Sequence, residues 1–287
     1  MKNAIHLSLV LFWAVQSLAA PVTFTLDPTQ SSITASGNAA GNTFQEQGPG
    51  SLTARYEGTI KADLGSSTIQ FLRGSAIDAL VSGNWQPRSG GAAGTEPADY
   101  GAQASSFLGT VRGAFRNILL DVSSQVINVN PNGTFDSSSM TFIFPTNSNA
   151  RFDYNAGFAS GSRPFAGEST NRTTTTATLT TTGDSQRLVI PVRATFFFRT
   201  LADGDSTLNL DGQLVATRTF GPRFSSITLS NQLVVLRVTG ITAEPFLESS
   251  FDLRTWTPRT AETRREGSEY VVVLPPAQPK EFFRARN

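Results

Sequence analysis

The 287-residue chain contains no cysteine and a single histidine, His6. His6 lies in a segment where Lys2 is followed by an apolar run from Ala4 to Val15 and then by Gln16-Ser17-Leu18-Ala19-Ala20-Pro21. That order of charge, apolar stretch and small residues is the pattern of a secretory signal peptide. Ser17 and Ala19 stand where a signal peptidase reads small residues, so cleavage is expected after Ala19. The run is well short of the roughly 20 apolar residues that a bilayer core requires. A mature chain without residues 1–19 has neither imidazole nor thiol. Ser-His-Asp and Cys-His catalysis, zinc sites of the His/Cys type and iron–sulfur clusters each need one of these groups and are excluded. No catalytic residue, metal site or cofactor is expected, and the chain reads as a non-enzyme only in this sense: the usual bases and nucleophile activators are missing.

Lysine is nearly absent too. Lys61 and Lys280 are the only lysines outside the leader, which removes most Ser-Lys and Schiff-base options. Without Lys2 the formal charge of +1 falls to balance, 22 basic against 22 acidic residues. No basic field remains to hold a phosphate backbone, so nucleic acid is not an expected partner. No membrane span is expected in the mature chain. An exported chain without disulfides must draw its stability from a large apolar core, and the length allows one.

What is present alternates. Ala54, Tyr56, Gly58, Ile60, Ala62 and Leu64 interleave with Arg55, Glu57, Thr59, Lys61 and Asp63, a period of two that fits a half-buried strand. Leu208, Leu210, Leu214 and Ala216 repeat the pattern against Thr207, Asn209, Gln213 and Thr217, whereas Leu188 to Phe198 reads as apolar on both faces, like a central strand. Asn130-Pro131-Asn132-Gly133 and Ala202-Asp203-Gly204-Asp205 supply turns. No stretch keeps a period of 3.6. The expected fold is all-β, a large sandwich or barrel over residues 20–220 followed by a small β-sandwich module over 221–287, with Phe220-Gly221-Pro222 as the junction.

Two segments break the rhythm. Residues 82–106 form a Gly/Ala/Ser-rich stretch longer than structureless loops usually are, hence either functional or disordered; Trp85, Arg88 and Tyr100 could meet a ligand there, or tuck against the body. Residues 145–171 carry Phe152 and Tyr154, whose rings could stack on sugars or anchor the loop. Asp203, Asp205 and Asp211 resemble pieces of a calcium loop but lack its spacing, so a hairpin tip is the simpler reading. Thr173 to Thr182 could form an ordered hydroxyl array, yet occurs once, and β-propensity accounts for it. Glu46, Glu57, Asp63 and Asp78 could contain a glycosidase pair, but nothing in the sequence pairs them.

Resemblance adds to this. Leu26-Asp27-Pro28-Thr29-Gln30-Ser31-Ser32-Ile33, with Gly50-Ser51-Leu52-Thr53 and Tyr56-Glu57-Gly58-Thr59-Ile60, resembles the opening of secreted bacterial proteins of the PEP-CTERM-sorted type over most of residues 22–220. It implies an exported β-rich body. The sorting tail is missing, since Pro275-Pro276-Ala277-Gln278-Pro279 is not followed by an apolar helix and arginine cluster. The Asp-Pro-x-x-Ser start is also faintly similar to YceI-like lipid-binding barrels, as far as about residue 80. Glu248 to Thr257, with Phe282-Phe283-Arg284-Ala285, resembles a C-terminal β module of secreted bacterial proteins, Ser-x-Asp-Leu-x-x-Trp before a terminal Phe-Phe-Arg. In that module the Asp252 turn is expected to reverse the chain and Trp256, Phe282 and Phe283 to form its core.

These readings converge on a secreted protein, extracellular or periplasmic, that is non-catalytic and interacts with a surface, matrix or envelope polymer. The alternatives are a binder of lipid or another small apolar ligand, suggested by Thr195 to Phe198, and a carboxylate-dependent glycoside hydrolase or lyase.

Overall fold

The computed structural model describes residues 21–39, 41–106, 109–171, 175–183, 185–199, 205–231, 233–241, 243–267, 269–275 and 281–286. The expected leader and its cleavage point, Asp203, Lys280 and the start of the threonine run lie outside them. The described chain is all-β, and its one helical element is a single 3-10 turn at Ser89–Gly91.

A 14-stranded sheet dominates. Its middle is built from Ser185–Arg199, Asp205–Thr219, the split line Val22–Leu26 and Ser32–Ala39, and Thr53–Leu64. Val22–Leu26 and Ser32–Ala39 run in one direction between the same two neighbours, Thr53–Leu64 on one side and Asp205–Thr219 on the other. The interruption is the Asp-Pro-x-x-Ser motif. Asp27 Oδ1 accepts from the Thr29 backbone at 2.9 Å, and the fully buried Ser31 hydroxyl accepts the Val215 N–H at 2.9 Å and donates to the Val215 carbonyl at 3.1 Å. The motif therefore ties a turn to the neighbouring strand where the ladder would otherwise fail.

Alternation sorts the faces. Ala54, Tyr56, Ile60 and Ala62 are buried along Thr53–Leu64, as the period of two requires. The strand Ser185–Arg199 departs from expectation: Leu188, Ile190, Val192, Ala194, Phe196 and Phe198 are buried, but Phe197 is 68% exposed, so the strand buries one face rather than two. On that face Phe198 meets Phe152 of a second, five-stranded sheet ordered Ser160–Pro164, Arg151–Asn155, Gly109–Arg116, Tyr100–Ser106 and Gln45–Glu46. Aromatic rings fill the space between the layers, with Phe115 and Phe152 at 4.6 Å, Phe144 and Phe196 at 4.6 Å, and Phe152 and Phe198 at 5.4 Å.

Residues beyond 222 make two further sheets. One is ordered Arg223–Ser230, Leu233–Thr239, Glu269–Leu274, Glu262–Glu266; the other is ordered Thr257–Pro258, Phe246–Ser250, Phe282–Arg286. They enclose a second core cluster of Leu236, Val238, Ile241, Leu247, Val272 and Leu274, against which Phe283 packs. The Asp252 turn forms as read: its Oδ1 accepts from the Arg254 and Thr255 backbones, both at 2.8 Å, and Leu253 takes φ +61°. Trp256 is a correction. It is half-buried outside that cluster, with the Arg284 guanidinium 4.3 Å over its ring, and Arg284 in turn donates to Glu248 at 2.6 Å. Phe282 is 42% exposed, because neighbours in a strand point to opposite faces and Phe283 took the inner one.

Candidate binding groove

Of the five residues that sequence reasoning singled out, the structure buries Tyr100, Phe152 and Tyr154 and leaves Trp85 and Arg88 nearer the surface. The 82–106 stretch is ordered as a two-stranded ribbon, Gly83–Trp85 with Glu96–Ala98, followed by the strand Tyr100–Ser106. Tyr100 and Phe152 are buried at 0% and 1% exposure, and Tyr154 is buried beside Phe152. Their faces are occupied by the core: the Tyr100 hydroxyl meets that of Tyr56 at 2.7 Å, and Phe152 lies over Gly113, where any Cβ would strike the ring. Trp85 is half-buried, its ring laid over Gly101 and Gly83 and its indole N–H donating to Ser82 Oγ at 2.8 Å. Arg88 alone is exposed.

The polar loop holds this shape through partners distant in sequence. The Gln47 amide donates to the carbonyls of Ala102 and Gly113, both at 2.9 Å, and accepts the Gln86 N–H at 2.9 Å. Arg116, 4% exposed, donates to Asp153 at 2.6 Å and to the carbonyls of Pro87 and Pro97. Asp153 also accepts from Arg151 at 3.1 Å and from the Gly90 backbone at 3.1 Å.

Of the four carboxylates considered as a catalytic pair, Glu57 and Asp78 stand opposite each other on adjacent strands, side by side on one sheet rather than across a cleft. Burial and then repulsion from Glu57 raise the Asp78 carboxyl above its ordinary value. Burial, followed by repulsion from Asp78, pushes the neighbouring Asp99 up to about 6, although Asp99 accepts the Ile118 N–H at 2.7 Å. Glu46 is on the separate five-stranded sheet, and Asp63 opposes Gln70. Asp211 pairs with Arg193 at 3.2 Å. Among the described residues no group of three or more His, Cys, Asp or Glu could hold a metal ion, and no helix is long and apolar enough to cross a membrane.

A well-formed groove lies elsewhere. Of about 800 Å³, it runs between two turns and the ends of three strands, lined by residues 64–68, 129–133 and 179–181 together with Gln186 and Arg218. Its walls are fixed by the backbone. Val129 N–H donates to the Ser67 carbonyl and Leu179 N–H to the Gly133 carbonyl, each at 2.8 Å, so the three walls are bonded to one another. Asn132 Oδ1 accepts from Thr134 N–H at 3.1 Å and from the Thr134 hydroxyl at 2.7 Å, closing the 130–133 turn. Gly133 takes φ +83° with the Leu179 carbonyl against its Cα, a position that no side chain could share.

The uncharged polar side chains of the lining are hydroxyls and amides, Ser66, Ser67, Thr68, Asn130, Asn132, Thr180, Thr181 and Gln186, and Leu64, Val129, Pro131 and Leu179 supply its apolar part. Its one charged side chain is Arg218. The Arg218 guanidinium lies 5.5 Å from the Phe24 ring and 5.0 Å from that of Phe220, and its Nε donates to Gln186 Oε1 at 2.7 Å. Gln186 Nε2 donates onward to Thr181 Oγ1 at 3.2 Å. Burial alone lowers the guanidinium from its ordinary value, far too little to discharge an arginine at neutral pH. Arg218 was missed in the sequence, although Leu208, Leu210, Leu214 and Ala216 announce the register that it continues. No family model matches this chain, and comparison with curated proteins and with solved structures likewise gives no match.

Proposed function

We propose that the protein is a non-catalytic interaction protein of a cell surface, matrix or envelope, and that it seats a hydroxyl-rich polymer in the groove lined by residues 64–68, 129–133 and 179–181. The observation that carries this reading is the lining: eight hydroxyl or amide side chains and no carboxylate among the lining residues. Such donors and acceptors match the hydroxyls of a sugar chain, and the fixed turns would lose little freedom on binding. Export is part of the proposal and is supported by the order of residues 1–20; N-terminal sequencing of the secreted protein should begin at Ala20-Pro21-Val22. The lipid reading is weaker, because Phe196 and Phe198 of the apolar run are already spent on Phe144 and Phe152. The carboxylate-enzyme reading has Glu57 and Asp78 to draw on, and these do not line the groove.

The test is a groove-filling substitution. Ser66 is exposed in the 64–68 turn, so Ser66→Trp should leave the melting temperature nearly unchanged, within about 0.5 kcal/mol. It should abolish retention of the protein on immobilised polysaccharide. Undiminished retention by a folded variant would remove the groove from the proposal.

A further inference from the structure

Arg218 occupies an inward position. Along Asp205–Thr219 the residues Leu208, Leu210, Leu214 and Ala216 are all buried, and two steps further the same face presents Arg218, which lines the groove. Part-buried charge is costly unless it is paired. Elsewhere the chain meets that cost with carboxylates: Arg116 with Asp153, Arg237 with Glu266 and Glu269, Arg284 with Glu248. Arg218 has no carboxylate partner among the described residues. Phe24 and Phe220 fix its plane, and Gln186, steered by Thr181, takes its Nε. Arg218 lines the groove, and among the described residues its terminal nitrogens, Nη1 and Nη2, have no hydrogen-bond partner, Nε alone being taken.

We propose that Arg218 makes the groove select acidic sugar chains, holding the carboxylate of a uronic acid residue end-on through Nη1 and Nη2 while the surrounding hydroxyls and amides take the neutral sugar hydroxyls. The inference rests on the polymer reading above. An arginine fork presents two parallel donors that match the two oxygens of a carboxylate, and charge-assisted bonds of this kind are about twice as strong as neutral ones. Gln186 turns the fork by occupying Nε, so a side-on pairing is blocked and the end-on one is left open. A ring carboxylate can then project to the groove floor while its chain runs between the walls.

The decisive comparison needs no variant: binding of an oligogalacturonide, and of the same oligomer with its carboxyls methyl-esterified, measured by titration calorimetry on the full exported protein. The free acid should bind about tenfold or more tightly, as expected for one bidentate charge-assisted pair. Arg218→Gln should erase this preference and keep the circular-dichroism melt. Equal binding of acid and ester by the unaltered protein would overturn the acidic-chain inference and leave the polymer reading standing. Binding of neither would overturn both. A preference that survives in Arg218→Gln would overturn the assignment to Arg218. Sulfated dextran bound more tightly than the free-acid oligomer would overturn the carboxylate in favour of a sulfate ester.

Discussion

Asp99 is 4% exposed and keeps one backbone donor, the Ile118 N–H, near one like charge, Asp78, and two opposite ones, Arg116 and Arg151. Its carboxyl is raised from 3.8 to about 6, burial being the main cause. A raised acid favours the protonated folded form, so its contribution is complete below pH 3.8 and is lost as pH rises through about 6. Two units correspond to about 3 kcal/mol as an upper figure. Asp99→Asn keeps the acceptor for Ile118 without the charge, so denaturant midpoints at pH 7 should rise by up to about 3 kcal/mol while those at pH 4 stay put. An unchanged slope between the two pH values would show that Asp99 is not the group responsible. A second contrast separates residues that sequence reasoning had grouped. Tyr100→Ala should cost about 3 to 5 kcal/mol because it empties the aromatic core. Trp85→Ala removes a half-buried ring from a ribbon and should cost clearly less. Paired thermal melts decide this; equal losses would place Trp85 in the core as well.

At the scale of strands and turns, the period of two was legible, and so were the Asn130–Gly133 and Asp252 turns, because each depends on neighbours within a few residues. The burial of Tyr100, Phe152 and Tyr154 was not. Their loops are rich in Gly, Ser and Ala, and what orders them is Gln47 and Arg116 acting on partners 55 and 37 positions away. Local composition carries no trace of such bonds. Phe282-Phe283 shows a different limit: alternation requires one ring in and one out, but the choice is made by the register of Phe282–Arg286 on Phe246–Ser250. Arg218 was readable in principle, as a charge on the apolar face, had the alternation of its strand been carried two residues further. Ser31 gives this scale its own test. Ser31→Ala leaves the Val215 backbone N–H buried without its acceptor, and should cost about 1 to 3 kcal/mol. Hydrogen exchange at Val215 should accelerate with it; protection equal to the parent's would mean that the turn is held by other bonds.

For the molecule as a whole, the buried apolar residues divide into one cluster between Phe24 and Ala216 and another between Leu236 and Leu274. We propose that each folds on its own, with Phe220-Gly221-Pro222 between them. Leu247, 3% exposed in the second cluster, is the residue to truncate: Leu247→Ala should cost about 2 to 5 kcal/mol and open residues beyond about 220 to protease while the body resists. Trp256→Ala, which loses a half-buried ring under Arg284, should cost less. A single shared melt for both parts in Leu247→Ala would move the boundary or remove it. The split line of residues 22–39 has a further consequence, in time rather than in energy. Thr25 lies opposite Thr217, so the first strand keeps an open edge until the last strand of the body has been made. Contacts between such distant positions come late, because closing the intervening chain must precede any gain from pairing. A growing or threading chain should therefore stay loose over most of its length and gain protease resistance abruptly once Asp205–Thr219 is available, so that truncations ending before residue 205 remain unfolded however many of their strands are complete.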